Sequence, residues 1–206
     1  MALWLIRHGE TAWSLSGRHT STTDLPLTRE GELQAVAIGK LLAGRAFDHV
    51  LSSPRTRAVD TARLAGFGER LELLESLVEV DYGEYEGLTT HEIHGTSSRW
   101  ELFRDGGPGG ETPAEASARA DAALAEAVGR GGNLLLFGHG HFFRALATRF
   151  LGLPIGVATQ LRLDAGSISV LQVERDGPSI VLWNRRVAPR PVLVGDVAIR
   201  VPDVTE

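Results

Sequence analysis

Residues 5–13 read LIRHGETAW, and they leave the short apolar run Ala2 to Ile6. That run has the length and composition of a buried strand. Its carboxyl end delivers Arg7, His8 and Gly9. A turn needs no cation beside an imidazole, because Gly, Asn, Asp or Pro change the chain direction at lower cost. The pair therefore points to an anion at the end of the strand.

Outward from this strand the chain alternates. Leu33, Val36, Ala37 and Leu41 recur at helical spacing within Leu27 to Ala43, with Thr28 as the expected N-cap. Phe47 to Ser52 reads as a second strand, and Pro54 stands where the first turn of a helix over Arg55 to Ala65 tolerates it. Leu71 to Val78 is strand-like. Thr112 to Glu115, TPAE, is a capping box with proline at the first helical position, opening an alanine-rich helix to about Val128. Asn133 to Phe137, NLLLF, reads as a buried strand, His141 to Leu151 as a helix, and Ser167 to Val173 and Ile180 to Trp183 as late strands. Such alternation implies an open α/β sheet with helices on both faces. The glycine-rich RDGGPGGET, Arg104 to Thr112, is expected to be a mobile cover within 90–112. Residues 1–188 are expected to form one domain, and 189–206, with Pro189, Pro191 and Pro202, a surface tail.

Composition narrows the chemistry. With 206 residues the chain is long enough for a sizeable core. A formal charge of -5 argues against a general nucleic-acid binder. No apolar run reaches the length of a membrane span, Met1 to Ile6 is too short for the apolar core of a signal peptide, and the default location is cytoplasmic. The lack of cysteine removes disulfides, thiolate zinc sites and cysteine nucleophiles. Of 21 cationic residues only Lys40 is lysine, a bias that carries no functional weight.

In open α/β sheets ligands bind beyond the carboxyl ends of the strands. His139, flanked by Gly138 and Gly140, follows the NLLLF strand, and Arg55 follows the second. The two glycines allow close backbone approach to a ligand. Two imidazoles and two guanidiniums around one crevice fit phosphoryl transfer: arginines bind the equatorial oxygens while a neutral imidazole attacks phosphorus. A carboxyl group must protonate the leaving oxygen and later activate water. Glu79, Asp81, Glu84 and Glu86 are the candidates, and position alone does not choose among them.

Four stretches in order, LIRHGETAW, LSSPRTRAVDTA, LVEVDYGEYEGLT and FGHGHFFRAL, resemble the histidine phosphatase superfamily, which includes cofactor-dependent phosphoglycerate mutase. The resemblance spans roughly residues 3–150 and is specific because the motifs occur together. It implies a three-layer α/β/α sandwich, a mostly parallel sheet with one antiparallel strand, and a phosphohistidine intermediate. It also implies His8 as nucleophile, Arg7 and Arg55 as phosphoryl ligands, His139 as the second histidine of the phosphate pocket, and Glu79 as general acid and base. Ser14 stands where many members have asparagine and Ser21 where they have glycine. With Thr20 these residues are expected to line the substrate pocket, beside Gly140. In this detail the chain looks like the broad-specificity acid phosphatases and sugar bisphosphatases. The short 91–112 segment offers only Arg99 and Arg104, which favours hydrolysis of a small phosphomonoester over mutase activity, the alternative. No cofactor or metal is expected. An exposed edge strand would allow a homo-oligomer, though nothing demands one.

Blander readings apply elsewhere. Arg57 and Arg63 read as solvated charges or helix-surface pairs. Asp81, Glu84 and Glu86 would bind a loop or cap a turn, Tyr82 and Tyr85 would pack, and His141, at the start of a helix, would either approach the pocket or cap or decorate that helix. Trp100 and Phe103 would pack the cover against the body. Two other classes compete. HEIH, His91 to His94, suggests a metal-dependent hydrolase, but lacks the four-residue histidine spacing of the zinc motif. A non-catalytic binding module would usually show a gap in the catalytic set, and all five residues are present.

Overall fold

The computed structural model describes residues 1–187 and the backbone of two short strands, Val192–Val194 and Val197–Ile199. Apart from those strands, the tail expected at 189–206 lies outside the described residues. The main sheet has six strands: β1 (Ala2–Arg7), β2 (His49–Ser52), β3 (Leu71–Leu73), β4 (Asn133–Gly138), β5 (Ser167–Glu174) and β6 (Gly177–Arg186). Their order is β3-β2-β4-β1-β5-β6. Pairing is parallel from β3 to β1, antiparallel between β1 and β5, and antiparallel again between β5 and β6. Only β5 therefore runs against the rest, as expected.

The central strands are apolar on both faces because both faces are covered. Leu3 and Leu5 of β1 and Leu134 and Leu136 of β4 pack into one core with helices α6 (Pro113–Arg130) and α7 (Gly140–Phe150). Ile6, Leu135 and Phe137 face the other way, against Ile38 and Leu42 of α2 (Arg29–Leu42) and Ala62 of α3 (Thr56–Leu64). These are the three layers. Thr28 caps α2 and accepts from Gly31 N, and Thr112 caps α6 in the expected capping box.

Two local readings change. Leu71 to Val78 is not one strand: β3 stops at Leu73, where its parallel partner β2 also ends, and a 3-10 turn follows at Glu75–Leu77. Pro54 precedes the N-cap, Arg55, instead of occupying the first turn. The 90–112 cover contains two short helices, α4 (Thr90–Thr96) and α5 (Leu102–Asp105). Its glycines serve close docking on the 81–84 turn. The Pro108 carbonyl accepts from Glu84 N, Glu111 N donates to the Asp81 carbonyl, and a Cβ at Gly107 would strike the Tyr82 carbonyl. Trp100 and Phe103 are buried in the core. Among the described residues no helix is long and apolar enough to cross a membrane.

Candidate active site

Strand register brings the site together. Arg7 pairs with Gly138 across β1 and β4, and Ser52 with Phe137 across β2 and β4. The chain leaves all three strands at one level, where His8 N donates to the Gly138 carbonyl and Ser53 N to the Phe137 carbonyl, each at 2.9 Å. His8, Arg55 and His139 emerge there. The His8 and His139 rings lie 5.3 Å apart, tilted by 62°. Gly9 must be glycine, since a Cβ would collide with the Gly31 carbonyl where β1 runs on over α2.

Hydrogen bonds assign both imidazole tautomers. His8 Nδ1 lies 2.7 Å from the Gly9 carbonyl, which can only accept, so Nδ1 carries the proton and Nε2 keeps its lone pair. Burial, and then the charges of Arg57 and Arg7, hold His8 well below the usual histidine range. It is neutral. His139 is fully buried, with Nε2 2.8 Å from the Ser53 hydroxyl. That hydroxyl has no other acceptor among the described residues, so it donates to Nε2 and the ring proton sits on Nδ1. Nδ1 has no protein partner. Burial, followed by Arg57, His8, Arg7 and Arg55, likewise depresses the His139 pKa.

The guanidiniums around these rings are incompletely bonded. Arg7 donates to the Leu163 carbonyl. A Cβ at Gly140 would lie 3.0 Å from Arg7 Cζ. Gly140 thus makes room for Arg7, where the sequence suggested room for a ligand. Arg55 caps α3, and its backbone N–H donates to the Ser53 hydroxyl at 3.3 Å. Arg57 corrects the sequence reading: it is completely buried, not solvated, and donates to the carbonyls of Thr20, Ser21 and Thr23. Arg63 does sit on the surface beside Asp60. The Nε atoms of Arg7, Arg55 and Arg57 are buried and make no hydrogen bond. Leaving such charged donors unmet costs more than about 1–3 kcal/mol each, a cost that an anion at the strand ends would remove.

Glu79 arrives from the opposite side. Its Oε1 accepts from Val80 N (2.9 Å) and Phe142 N (2.7 Å), and its Oε2 from His141 N (3.0 Å), so the carboxyl group sits on the N-terminal turn of α7. Arg119, which the sequence did not single out, donates to the Ser76 and Val78 carbonyls and pairs with Glu111 at 2.7 Å. It fixes the segment leading into Glu79. A cavity of about 160 Å³ lies between Glu79 and His8 and is also lined by Arg7, Ser14, Thr20, Tyr82 and His141.

The remaining expectations divide. Ser14 and Thr20 border the cavity, although the Ser14 hydroxyl also closes the capping box of α1 (Ala12–Ser16). Ser21 lies elsewhere: its hydroxyl donates to Glu86 Oε2 at 2.7 Å. Glu86 anchors a loop, as expected, accepting from the N–H groups of residues 21–23 and the hydroxyls of Ser21 and Thr22. Burial would raise its pKa, but the bonds from Thr22, Thr23 and Ser21 outweigh that and lower it to about 2. Asp81 accepts from Gly83 N. Tyr82 and His141 border the cavity, beyond packing or decoration, as does His19, which the sequence reading passed over. The HEIH histidines do not converge: His91 is exposed and His94 Nε2 donates to the Trp100 carbonyl. Among the described residues no group of three or more histidines and carboxylates could hold a metal ion.

Comparison with known proteins identifies the family. Residues 3–186 match the model of the histidine phosphatase superfamily (branch 1). An acid phosphatase of Mycobacterium tuberculosis is 39% identical over 197 residues, 94% of this chain and 97% of that protein. Sedoheptulose 1,7-bisphosphatase of Saccharomyces cerevisiae is 32% identical, over 73% of this chain and 68% of its own. A probable phosphoglycerate mutase of Salmonella choleraesuis is 33% identical over 82% of this chain and 83% of its own. The solved structure of an open reading frame of Mycobacterium tuberculosis superposes with a TM-score of 0.87 at 38% identity, covering 91% of this chain and 98% of that one. The chain belongs to the histidine phosphatase superfamily and is a phosphatase enzyme.

Proposed function

We propose that this chain is a cytoplasmic enzyme that hydrolyses small phosphomonoesters through a phosphohistidine on His8. One observation carries the reading. A neutral His8 with its Nε2 lone pair free shares a cavity with Glu79, beside buried guanidinium Nε atoms and a His139 Nδ1–H that have no protein partner. The phosphoryl oxygens accept from Arg7, Arg55 and His139. His8 Nε2 attacks phosphorus in line, and the protonated Glu79 carboxyl gives its proton to the leaving oxygen. Nδ1–H stays bonded to the Gly9 carbonyl throughout, so the ring shares the positive charge that forms on it. Water then attacks the phosphohistidine, Glu79 takes the water's proton, and inorganic phosphate leaves. The substrate is a small-molecule ester, and no metal takes part.

Phosphorus NMR of the enzyme with 3-phosphoglycerate and a trace of 2,3-bisphosphoglycerate tests this. Free phosphate is the expected product, while 2-phosphoglycerate without free phosphate would establish a mutase. His8→Ala should lower turnover by about 10³-fold or more and abolish acid-labile phosphate on the protein. Retention of that label would remove His8 from the nucleophile's role.

A further inference from the structure

The chemistry above uses only the main-chain N–H of His141, yet its ring lies in the cavity wall with Glu79 and Tyr82. We propose that the His141 imidazole binds the leaving alcohol, donating from Nε2 to an oxygen other than the esterified one, and that Tyr82 positions it. The proposal rests on the hydrolytic reading and names its substrate class.

Tyr82 is 2% exposed, and its hydroxyl lies 2.6 Å from His141 Nδ1. One hydrogen occupies that gap. Were it on Nδ1, the buried tyrosine proton would need a different acceptor, and the hydroxyl has none among the described residues. Nor can Nδ1–H turn to Glu79, since Oε2 is 4.0 Å away, too far for a hydrogen bond. Tyr82 therefore donates, Nδ1 accepts, and Nε2 carries the ring proton. Burial, with Arg144, His19 and Arg7, keeps His141 neutral, so this is a donor without charge.

Nε2 has no hydrogen-bond partner among the described residues. The ring is held in place by Tyr82, His19 and Phe103, with centroids 5.7 to 5.8 Å away. His19 and His141 also border a second cavity of about 300 Å³, lined by Trp100, Thr90, Thr159, Glu101 and Arg144 as well. A fixed neutral donor beside aromatic faces and the polar side chains of Glu101 and Arg144 suits an alcohol that bears further hydroxyl or carbonyl oxygens. The class is phosphate esters of polyols and sugars, preferred over plain alkyl esters.

The test compares glycerol 3-phosphate with propyl phosphate, by calorimetric affinity in the His8→Ala background, where turnover cannot interfere. The parent should bind the glycerol ester about tenfold more tightly. His141→Phe should erase that preference and His141→Gln, which keeps a donor, should restore part of it. A parent without preference, or a preference that survives His141→Phe, overturns the proposal. So does an equal loss for both esters, which would place the ring on the phosphoryl group. Should His141→Phe fail to fold, ring nitrogen-15 spectra of the unsubstituted chain decide: Nε2 protonated supports the assignment, Nδ1 protonated refutes it. Tyr82→Phe should mix the two tautomers and lower the preference. Failure of the hydrolytic reading would show separately, as no phosphate released from either ester by the unsubstituted enzyme.

Discussion

The charge cluster at the strand ends, the floor of the site, and the loop framework outside it, its wall, are built on opposite terms. On the floor, Arg7, Arg55 and Arg57 crowd two histidines and leave three guanidinium Nε atoms and His139 Nδ1 unbonded. In the wall, Glu86 takes five hydrogen bonds from residues 21–23, and Arg119 ties Glu111 to the chain before Glu79. Like charges gathered out of water destabilise a fold, and saturated charges hold it. The floor therefore gives up stability to keep donors free for an anion, while the wall supplies the rigidity that holds the floor's geometry.

This contrast can be broken by separating activity from stability. Arg55→Ala should lower kcat by about 10²–10³-fold, the scale for losing one donor to transition-state charge, without lowering the melting temperature. Glu86→Ala should do the reverse. It removes five bonds from the 21–23 loop and should cost about 2–4 kcal/mol in denaturant unfolding, with a smaller loss of rate. If Arg55→Ala unfolds the protein and Glu86→Ala leaves stability untouched, the division is wrong.

Acid should sharpen the same contrast. His8, His139 and His141 are held well below 6.5, and His19 at about 4, all mainly by burial. The unfolded chain protonates these histidines near 6.5 while the folded chain does not, so unfolding takes up protons and stability falls as pH drops below about 6.5. The uptake should grow as pH falls below about 6.5, measurable from the slope of unfolding free energy against pH. Glu86 follows the carboxylate rule. Its contribution is complete above the unfolded value and is lost as pH falls from about 4.5 toward about 2. The buried histidines and Glu86 should thus weaken the fold in separate pH windows. Activity should hold through mildly acidic pH, because the depressed His8 pKa keeps Nε2 unprotonated there.

The smallest effect concerns Gly140. In Gly140→Ala the new Cβ, 3.0 Å from Arg7 Cζ, must push the guanidinium aside by a few tenths of an ångström. Kinetics should show roughly a tenfold fall in kcat/KM, since phosphoryl ligands tolerate little displacement, with the fold unaffected. An unchanged rate would mean that Arg7 has more freedom than its contacts suggest.

Much of this was legible from residue order. Two-faced apolar strands such as NLLLF announce a covered sheet, and the Thr28 cap and the Thr112 capping box mark the starts of α2 and α6. Arg7 ends a strand, His8 and His139 each follow one directly, and Arg55 comes three residues after another, so their convergence needed only the sheet. Glu79 was different. Nothing local distinguished it from Asp81, Glu84 or Glu86, and the family resemblance made the choice. Arg57 was misread because an arginine on a short polar helix has the pattern of a solvated one. Its partners are carbonyls some 34 to 37 residues earlier in the chain. His19, Tyr82, Arg119 and His141 were missed or underrated for the same reason.

Periodicity, capping and strand-end position are properties of neighbouring residues, so the sequence by itself determined the layers, the sheet and the histidine–arginine ends of β1, β2 and β4. Protonation and partnership depend on what lies across space. Only the tertiary structure decided that His8 presents Nε2, that Glu79 rests on the start of α7, and that Tyr82 orients His141. Glu79 and Tyr82 find their partners on a helix some sixty residues further along the chain, and His8, though it bonds its neighbour's carbonyl, is kept neutral by a burial that only the packed fold supplies.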